Sequence, residues 1–205
     1  MTSIEWETAY RSVEHNLDDR ITKIRGFGLD NSMRVLDLGC GDGLDLTAFC
    51  KLGFGKVFGI DISHSLLKAL AERPFSMLNC DVYDITLQDG AVDLVYGNNV
   101  LHHFRELDRA MTEIRRVLRA GGLFCFAEPR ASLFRQLVDT LTLSPLAKMS
   151  RILNYRRIIL EEEMDDYQHW LKGQDRLFGL VERTGFKLVG EPKGLFRLFA
   201  KWEAV

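Results

Sequence analysis

The chain has 205 residues, 46% hydrophobic and 27% charged, which is the size of one domain and too apolar for a disordered chain. Twenty-seven basic against 29 acidic side chains give a net charge of −2, which argues against a broadly basic nucleic-acid surface while leaving room for a local patch. No apolar run approaches the roughly 18–20 residues that span a bilayer, and the opening MTSIEWETAY has neither a basic nor an apolar leader region, so a cytoplasmic protein without a membrane partner is expected.

In the first thirty residues Trp6, Tyr10, Val13, Leu17, Ile21 and Ile24 fall on one stripe at three-to-four spacing, which predicts an amphipathic helix, whole or broken, ending near Gly26 and Gly28. MRVLDLG (33–39) reads as a buried strand, Asp45 to Leu52 as a helix stopped by Gly53 and Gly55, and KVFGID (56–61) as a second strand. Ser63 is an N-cap candidate for a helix burying Leu66, Leu67, Leu70 and Ala71. FSMLNCD (75–81), AVDLVYG (91–97) and GLFCFAE (122–128) are further strands, and a helix from Leu107 to Leu118 closes at Gly121–Gly122. This alternation predicts right-handed crossovers and a doubly wound α/β core with helices on both faces of a parallel sheet. Some forty residues at 129–171 carry no strand pattern and are read as helical, with basic side chains gathered in 130–157 and acids in 158–170. A closing helix through Leu177, Leu180 and Val181 precedes two strands, 187–191 and 195–202, expected to pair as an antiparallel hairpin. Cys40, Cys50, Cys80 and Cys125 show no CxxC spacing and sit in apolar stretches, as reduced core residues do.

Chemistry concentrates where strands end. Asp37-Leu-Gly39-Cys40-Gly41-Asp-Gly43 joins the first strand to its helix; glycines there permit a tight turn and close approach of a ligand to the backbone, beside the free N–H groups of a helix start. Asp61 ends the second strand, where a carboxylate can accept both hydroxyls of a ribose. Asp81 ends the third, placed for an exocyclic amine of adenine, with Val82 donating from its backbone. Asn98, Asn99, His102 and His103 follow the fourth, at the edge where such folds bind ligands.

VLDLGCGDG, GIDIS, CDVYD, VDLVYGNNVLHHF and RVLRAGGLFCFAEP, in this order, resemble the successive motifs of the class I S-adenosylmethionine-dependent methyltransferases. The resemblance covers roughly 33–128, and the tail agrees in topology. It implies a mostly parallel seven-stranded sheet with an antiparallel C-terminal hairpin strand and a helical insertion after strand five. One domain is then divided into an N-terminal cap (1–30), a cofactor-binding core (31–128), a helical lid (129–171) and a closing helix and hairpin (172–205). It also implies S-adenosyl-L-methionine as cofactor, with Asp37, Gly39, Cys40, Gly41 and Gly43 at its methionine end, Asp61 and Ile62 at the ribose, Asp81 and Val82 at the adenine, and Asn98 near the transferred methyl.

The expected reaction is transfer of a methyl group to a small-molecule acceptor by in-line displacement, which mainly requires alignment. His103, and after it His102, are the candidate bases; no metal is expected. Tyr10, Glu128, Tyr155 and Tyr167 are the candidate acceptor contacts, with His169 and Trp170 beside them, and Arg11 is the candidate partner of the cofactor's carboxylate. Competing readings are a non-catalytic protein that binds the cofactor or its demethylated product, and a methyltransferase of RNA or protein, against which the net charge counts. A nicotinamide oxidoreductase is disfavoured by the glycine spacing. The sequence leaves the acceptor and the oligomeric state open.

Overall fold

Seven strands form one sheet in the order β3-β2-β1-β4-β5-β7-β6, in a computed structural model that describes residues 8–9, 12, 16–64 and 75–205. The strands are β1 (Arg34–Leu38), β2 (Lys56–Asp61), β3 (Ser76–Asn79), β4 (Val92–Asn98), β5 (Leu118–Pro129), β6 (Phe186–Leu188) and β7 (Arg197–Ala204). The first five are parallel, and β7 runs antiparallel between β5 and β6. All five parallel strands therefore end at one edge, and because Pro129 pairs with Arg197, β7 begins there.

The helices are α1 (Leu17–Arg25), α2 (Leu44–Lys51), α3 (Leu107–Val117), α4 (Leu133–Leu143), α5 (Arg151–Glu162) and α6 (Met164–Arg183), with 3-10 turns at Leu101–His103 and Pro145–Met149. Asn16 caps α1 by accepting from the Asp19 N–H at 3.1 Å. The Ser63 helix, with Leu66, Leu67, Leu70 and Ala71, and most of the stripe before α1 lie outside the described residues. One side of the sheet packs Leu36, Leu38, Val95, Phe124 and Trp202 against α3 and α6. The other packs Val35, Leu94, Tyr96 and Cys125 against α1 and α2. There Phe49 meets Tyr96 edge-on at 5.2 Å and Phe27 meets Tyr96 at 6.1 Å. Such pairs contribute about 0.5–1.5 kcal/mol each beyond their buried area, and they anchor the end of α1 to the sheet. Cys40 and Cys125 are buried, Cys50 and Cys80 half-buried, and all four are free thiols.

Three boundaries differ from the sequence expectation. The helix expected to close at Gly121–Gly122 stops at Val117, and β5 begins at once. Leu118 pairs with Val92 and Leu123 with Leu94, so the extra residues bulge out through Gly121 at φ 69°. The boundary expected near residue 171 is absent, because the 20-residue α6 runs straight through it. The hairpin pairs Phe186 with Ala204 and Leu188 with Trp202, leaving 189–196 as its connection. Pro192 falls in this connection, where it withholds no donor from the ladder.

Candidate active site

The turn after β1 has left-handed backbone at Gly39, Gly41 and Gly43, with φ of 59°, 48° and 73°. A Cβ on Gly39 would stand 2.4 Å from Val100 Cγ2, whereas one on Gly41 would meet nothing nearer than 3.9 Å. Gly39 is thus closed against the loop after β4, and Gly41 presents open backbone. Asp61 braces this turn: Oδ2 accepts from the Gly41 N–H at 2.9 Å and Oδ1 from the Ser63 N–H at 2.8 Å. Asn79, which the sequence did not single out, donates to the backbone oxygens of Asp61 and Ile62 at 2.9 and 3.0 Å. Ile62 projects outward, 76% exposed. Asp81 Oδ1 accepts from the Tyr83 N–H at 3.0 Å, and the Val82 side chain is buried in the core. Cys40 contributes backbone only. Its Sγ packs where a Cβ on Gly59 would fall, and burial pushes its thiol pKa far up.

Beneath the turn lies a buried polar cluster. Arg20 Nη1 stands 3.3 Å from Asp45 Oδ2, which also accepts from Asn98 Nδ2 at 3.0 Å. Asp37 Oδ2, Asp45 Oδ1, Asn98 Oδ1 and the Tyr96 hydroxyl are buried there without a hydrogen-bond partner among the described residues. Burial, then the neighbouring Asp45 carboxylate, hold the Asp37 pKa well above the usual range; burial also raises that of Asp45, against the pull of Arg20. Four orphaned oxygens in so small a volume call for a donor, and an ammonium group suits them. The residues present therefore fit the ammonium end of an amino-acid moiety at this edge.

After β4 the chain turns through Asn99 at φ 55°, a left-handed conformation that asparagine tolerates better than most residues. Asn99 Oδ1 accepts from Arg197 Nη1 at 2.6 Å, so the β7 start is tied to the β4 end. Glu128, expected to reach toward an acceptor, instead faces inward. Its Oε1 accepts from the Val100 and Leu101 N–H groups at 2.7 and 2.8 Å, and its Oε2 from His102 Nδ1 at 2.8 Å. The reason is electrostatic: a fully buried carboxylate has to be hydrogen-bonded, and this turn supplies the donors. Burial alone would lower the His102 pKa, but Glu128 at Nδ1, helped by Glu163, outweighs it and raises the value to about 10. His102 therefore carries a proton at neutral pH and is not poised to take one. His103 is more exposed and bonds through Nδ1 to Asp166 Oδ2 at 3.1 Å.

A cavity of about 1280 Å³ opens beside this turn, walled by α1, by the helices after β5 and by the β6–β7 connection. Its lining includes Phe27, Asn99, His102, Glu163, Tyr167 and Arg197, whereas Asp37, Asp61 and Asp81 lie outside it. The acids at the ends of β1–β3 and the cavity thus form two compartments that meet at the β4 end. Of the acceptor candidates, Tyr167 lines the cavity and donates its hydroxyl to Asp139. Tyr155 is not among the lining residues: its hydroxyl accepts from Arg151 Nε at 3.1 Å under a stacked guanidinium. Trp170 seals α6 to the sheet by donating to the Pro129 carbonyl at 2.8 Å, and His169 is exposed. Tyr10 and Arg11 lie outside the described residues. Arg197 is a wall residue that sequence reasoning missed, since it comes from a segment far along the chain and no local pattern marks it. Glu163 belongs to the acid cluster at 158–170, which the sequence set apart without assigning Glu163 a role of its own.

Comparison with known proteins agrees with this layout. A family model described as a methyltransferase domain matches residues 36–126. A tRNA (carboxymethyluridine(34)-5-O)-methyltransferase of Mus musculus is 32% identical over 119 residues, covering 55% of this chain and 17% of its own. A malonyl-[acyl-carrier protein] O-methyltransferase of Legionella pneumophila is 28% identical over 110 residues, covering 51% of this chain and 39% of its own. The chain therefore spans less than half the length of these curated relatives. A crystal structure of a Pyrococcus horikoshii protein superposes with a TM-score of 0.69 at 20% identity over 96% of both chains, which is a likeness of fold. The glycine turn, the sheet order and the matched segment 36–126 together show a methyltransferase domain of the class I fold, whose cofactor is S-adenosylmethionine.

Proposed function

We propose that the protein transfers a methyl group from S-adenosylmethionine to a carboxylate oxygen of a small acceptor seated in the cavity. The observation that carries this reading is the charge of the cavity wall: six lysine and arginine side chains against four carboxylates. Lys23 pairs with Asp19 at 2.5 Å and Arg135 with Asp139 at 2.9 Å. The lining also holds Arg156, Lys193, Arg197 and Lys201 beside Glu163 and Glu191. Such a wall attracts an anion. The acceptors named for the two relatives, a malonyl group and a carboxymethyluridine, both carry a carboxylate, which supports the same chemistry here.

When bound, S-adenosylmethionine supplies a methyl on a sulfonium that is already a good leaving group. Asp37 and Asn98 would accept from its ammonium through their orphaned oxygens, and the backbone of Gly41 would lie along its methionine chain. Asp61 would accept from the ribose hydroxyls while still bracing the turn, with Ile62, Asp81 and Val82 around the adenine. An ionised carboxylate already exposes the lone pair that attacks, so no base is needed. This agrees with a His102 that is held protonated and tied to Glu128. What remains for the protein is alignment, and Arg197, fixed by Asn99 at the β4 end, is placed to orient the acceptor beside the methyl.

The test is a transfer assay with methyl-labelled cofactor and a panel of small carboxylic acids beside their amides, alcohols and amines. Label recovered as methanol after mild base, from acids alone, is the expected result. Base-stable label, or label on an amine or alcohol, overturns the carboxylate assignment.

A further inference from the structure

Folding brings a third metal-ligating side chain, Glu163, onto the adjacent pair His102 and His103. One ring nitrogen each of His102 and His103 and one oxygen of Glu163 lie within 4.8 Å of one another. The expectation of no metal came from sequence spacing, and Glu163 reaches the pair only because the segment after β5 folds back over the β4 end. From this arrangement we propose that His102, His103 and Glu163 form a binding site for a divalent transition-metal ion of the zinc class on the wall of the cavity.

Two further features point the same way. The Nε2 of His102 is buried without a hydrogen-bond partner among the described residues and lies 3.8 Å from Glu163 Oε2, and a metal ion bound there displaces the proton that this ring otherwise carries. In addition, a carboxylate stands behind each ring, Glu128 at His102 Nδ1 (2.8 Å) and Asp166 at His103 Nδ1 (3.1 Å). A carboxylate on the far nitrogen fixes the tautomer and orientation of a metal-bound histidine. With bonds of about 2.0–2.1 Å, tetrahedral ligand atoms stand roughly 3.4 Å apart, so small side-chain rotations close the set. Two imidazoles and one carboxylate suit zinc, cobalt or iron better than magnesium or calcium. Three protein ligands leave a coordination position for an acceptor oxygen, and both His102 and Glu163 line the cavity. The site does not depend on the carboxylate reading, because its occupancy is measured with no acceptor or cofactor present.

The experiment strips the full chain with a chelator and titrates it with Co2+, a spectroscopic stand-in for Zn2+. One equivalent should bind with micromolar or tighter affinity and give visible bands of nitrogen and oxygen ligation. His103→Gln and Glu163→Gln, both at partly exposed positions, should each weaken binding at least about tenfold while leaving the melting midpoint of the metal-free protein in place. No uptake at about 1 mM Co2+, a weakness of some 4 kcal/mol, overturns the proposal and leaves the cluster as an ion pair. Bands of sulfur ligation, or equal binding by both variants, overturn it by placing the ion elsewhere.

Discussion

Gly39 is glycine for two separate reasons, a φ of 59° and the 2.4 Å that would separate its Cβ from Val100 Cγ2. Alanine there meets the left-handed penalty of about 1–2 kcal/mol together with the overpacking cost of about 1–3 kcal/mol. Gly39→Ala should therefore lower unfolding stability by about 2–5 kcal/mol, read as a lower urea midpoint. It should also weaken S-adenosylhomocysteine binding in calorimetry, since the strained turn carries Gly41 and the loop it would push against follows Asn98. An unchanged midpoint would mean that the turn after β1 relaxes freely. At this scale the sequence was most informative where a residue type has one physical use, a glycine in a strand-to-helix turn or an acid at a strand end. It was silent where a side chain is committed to a distant partner. Glu128 looks the same in sequence whether it faces a ligand or His102, and only burial decides.

The contact between α1 and α2 hangs on few polar groups, and Arg20 is the one that reaches deepest, its side chain 4% exposed beside Asp45 at 12%. Removing one partner of such a pair leaves the other uncompensated, typically at about 3–5 kcal/mol. Asp45 can escape part of this by taking a proton, since burial already raises its pKa and Arg20 is what opposes the rise. Arg20→Ala should therefore cost about 3 kcal/mol, the low end of that range. In an Asp45→Asn background, where no charge remains to be stranded, the same substitution should cost less than half as much. Equal costs in the two backgrounds would show that Arg20 acts by packing. The parallel core was legible because each buried strand is an apolar run between glycines and each helix has a clear period. The bulge in β5 and the length of α6 were not. Gly121–Gly122 serves a strand irregularity as readily as a helix end, and the boundary expected near 171 falls inside one continuous helix that no break in the sequence marks as such.

Across the whole molecule, stability and chemistry sit at opposite edges of the sheet. At the far edge from the site, one carboxylate joins three parallel strands: Asp93 on β4 accepts from the Arg34 N–H (2.8 Å), from Arg34 Nε (2.9 Å) and Nη2 (3.2 Å) on β1, and from Arg119 Nε (2.6 Å) on β5. The Arg34 hydrogen bonds dominate and hold the Asp93 pKa below the usual carboxylate range. A carboxyl with a depressed pKa in the folded state stabilises the fold above its unfolded value of about 4 and loses that stabilisation as pH falls through the folded value. Asp93→Asn should thus lower stability at pH 7 by about 1–2 kcal/mol, a charge-assisted hydrogen bond discounted for partial exposure of both arginines. The gap from the native chain should narrow as the pH is taken down through the acid range, because the native carboxyl is then protonated as well. S-adenosylhomocysteine affinity at pH 7 should not change, since nothing at the glycine turn touches this clamp. A gap that stays constant with pH would assign the loss to shape alone, and a loss of cofactor affinity would mean that the two edges are mechanically coupled through β1 and β4.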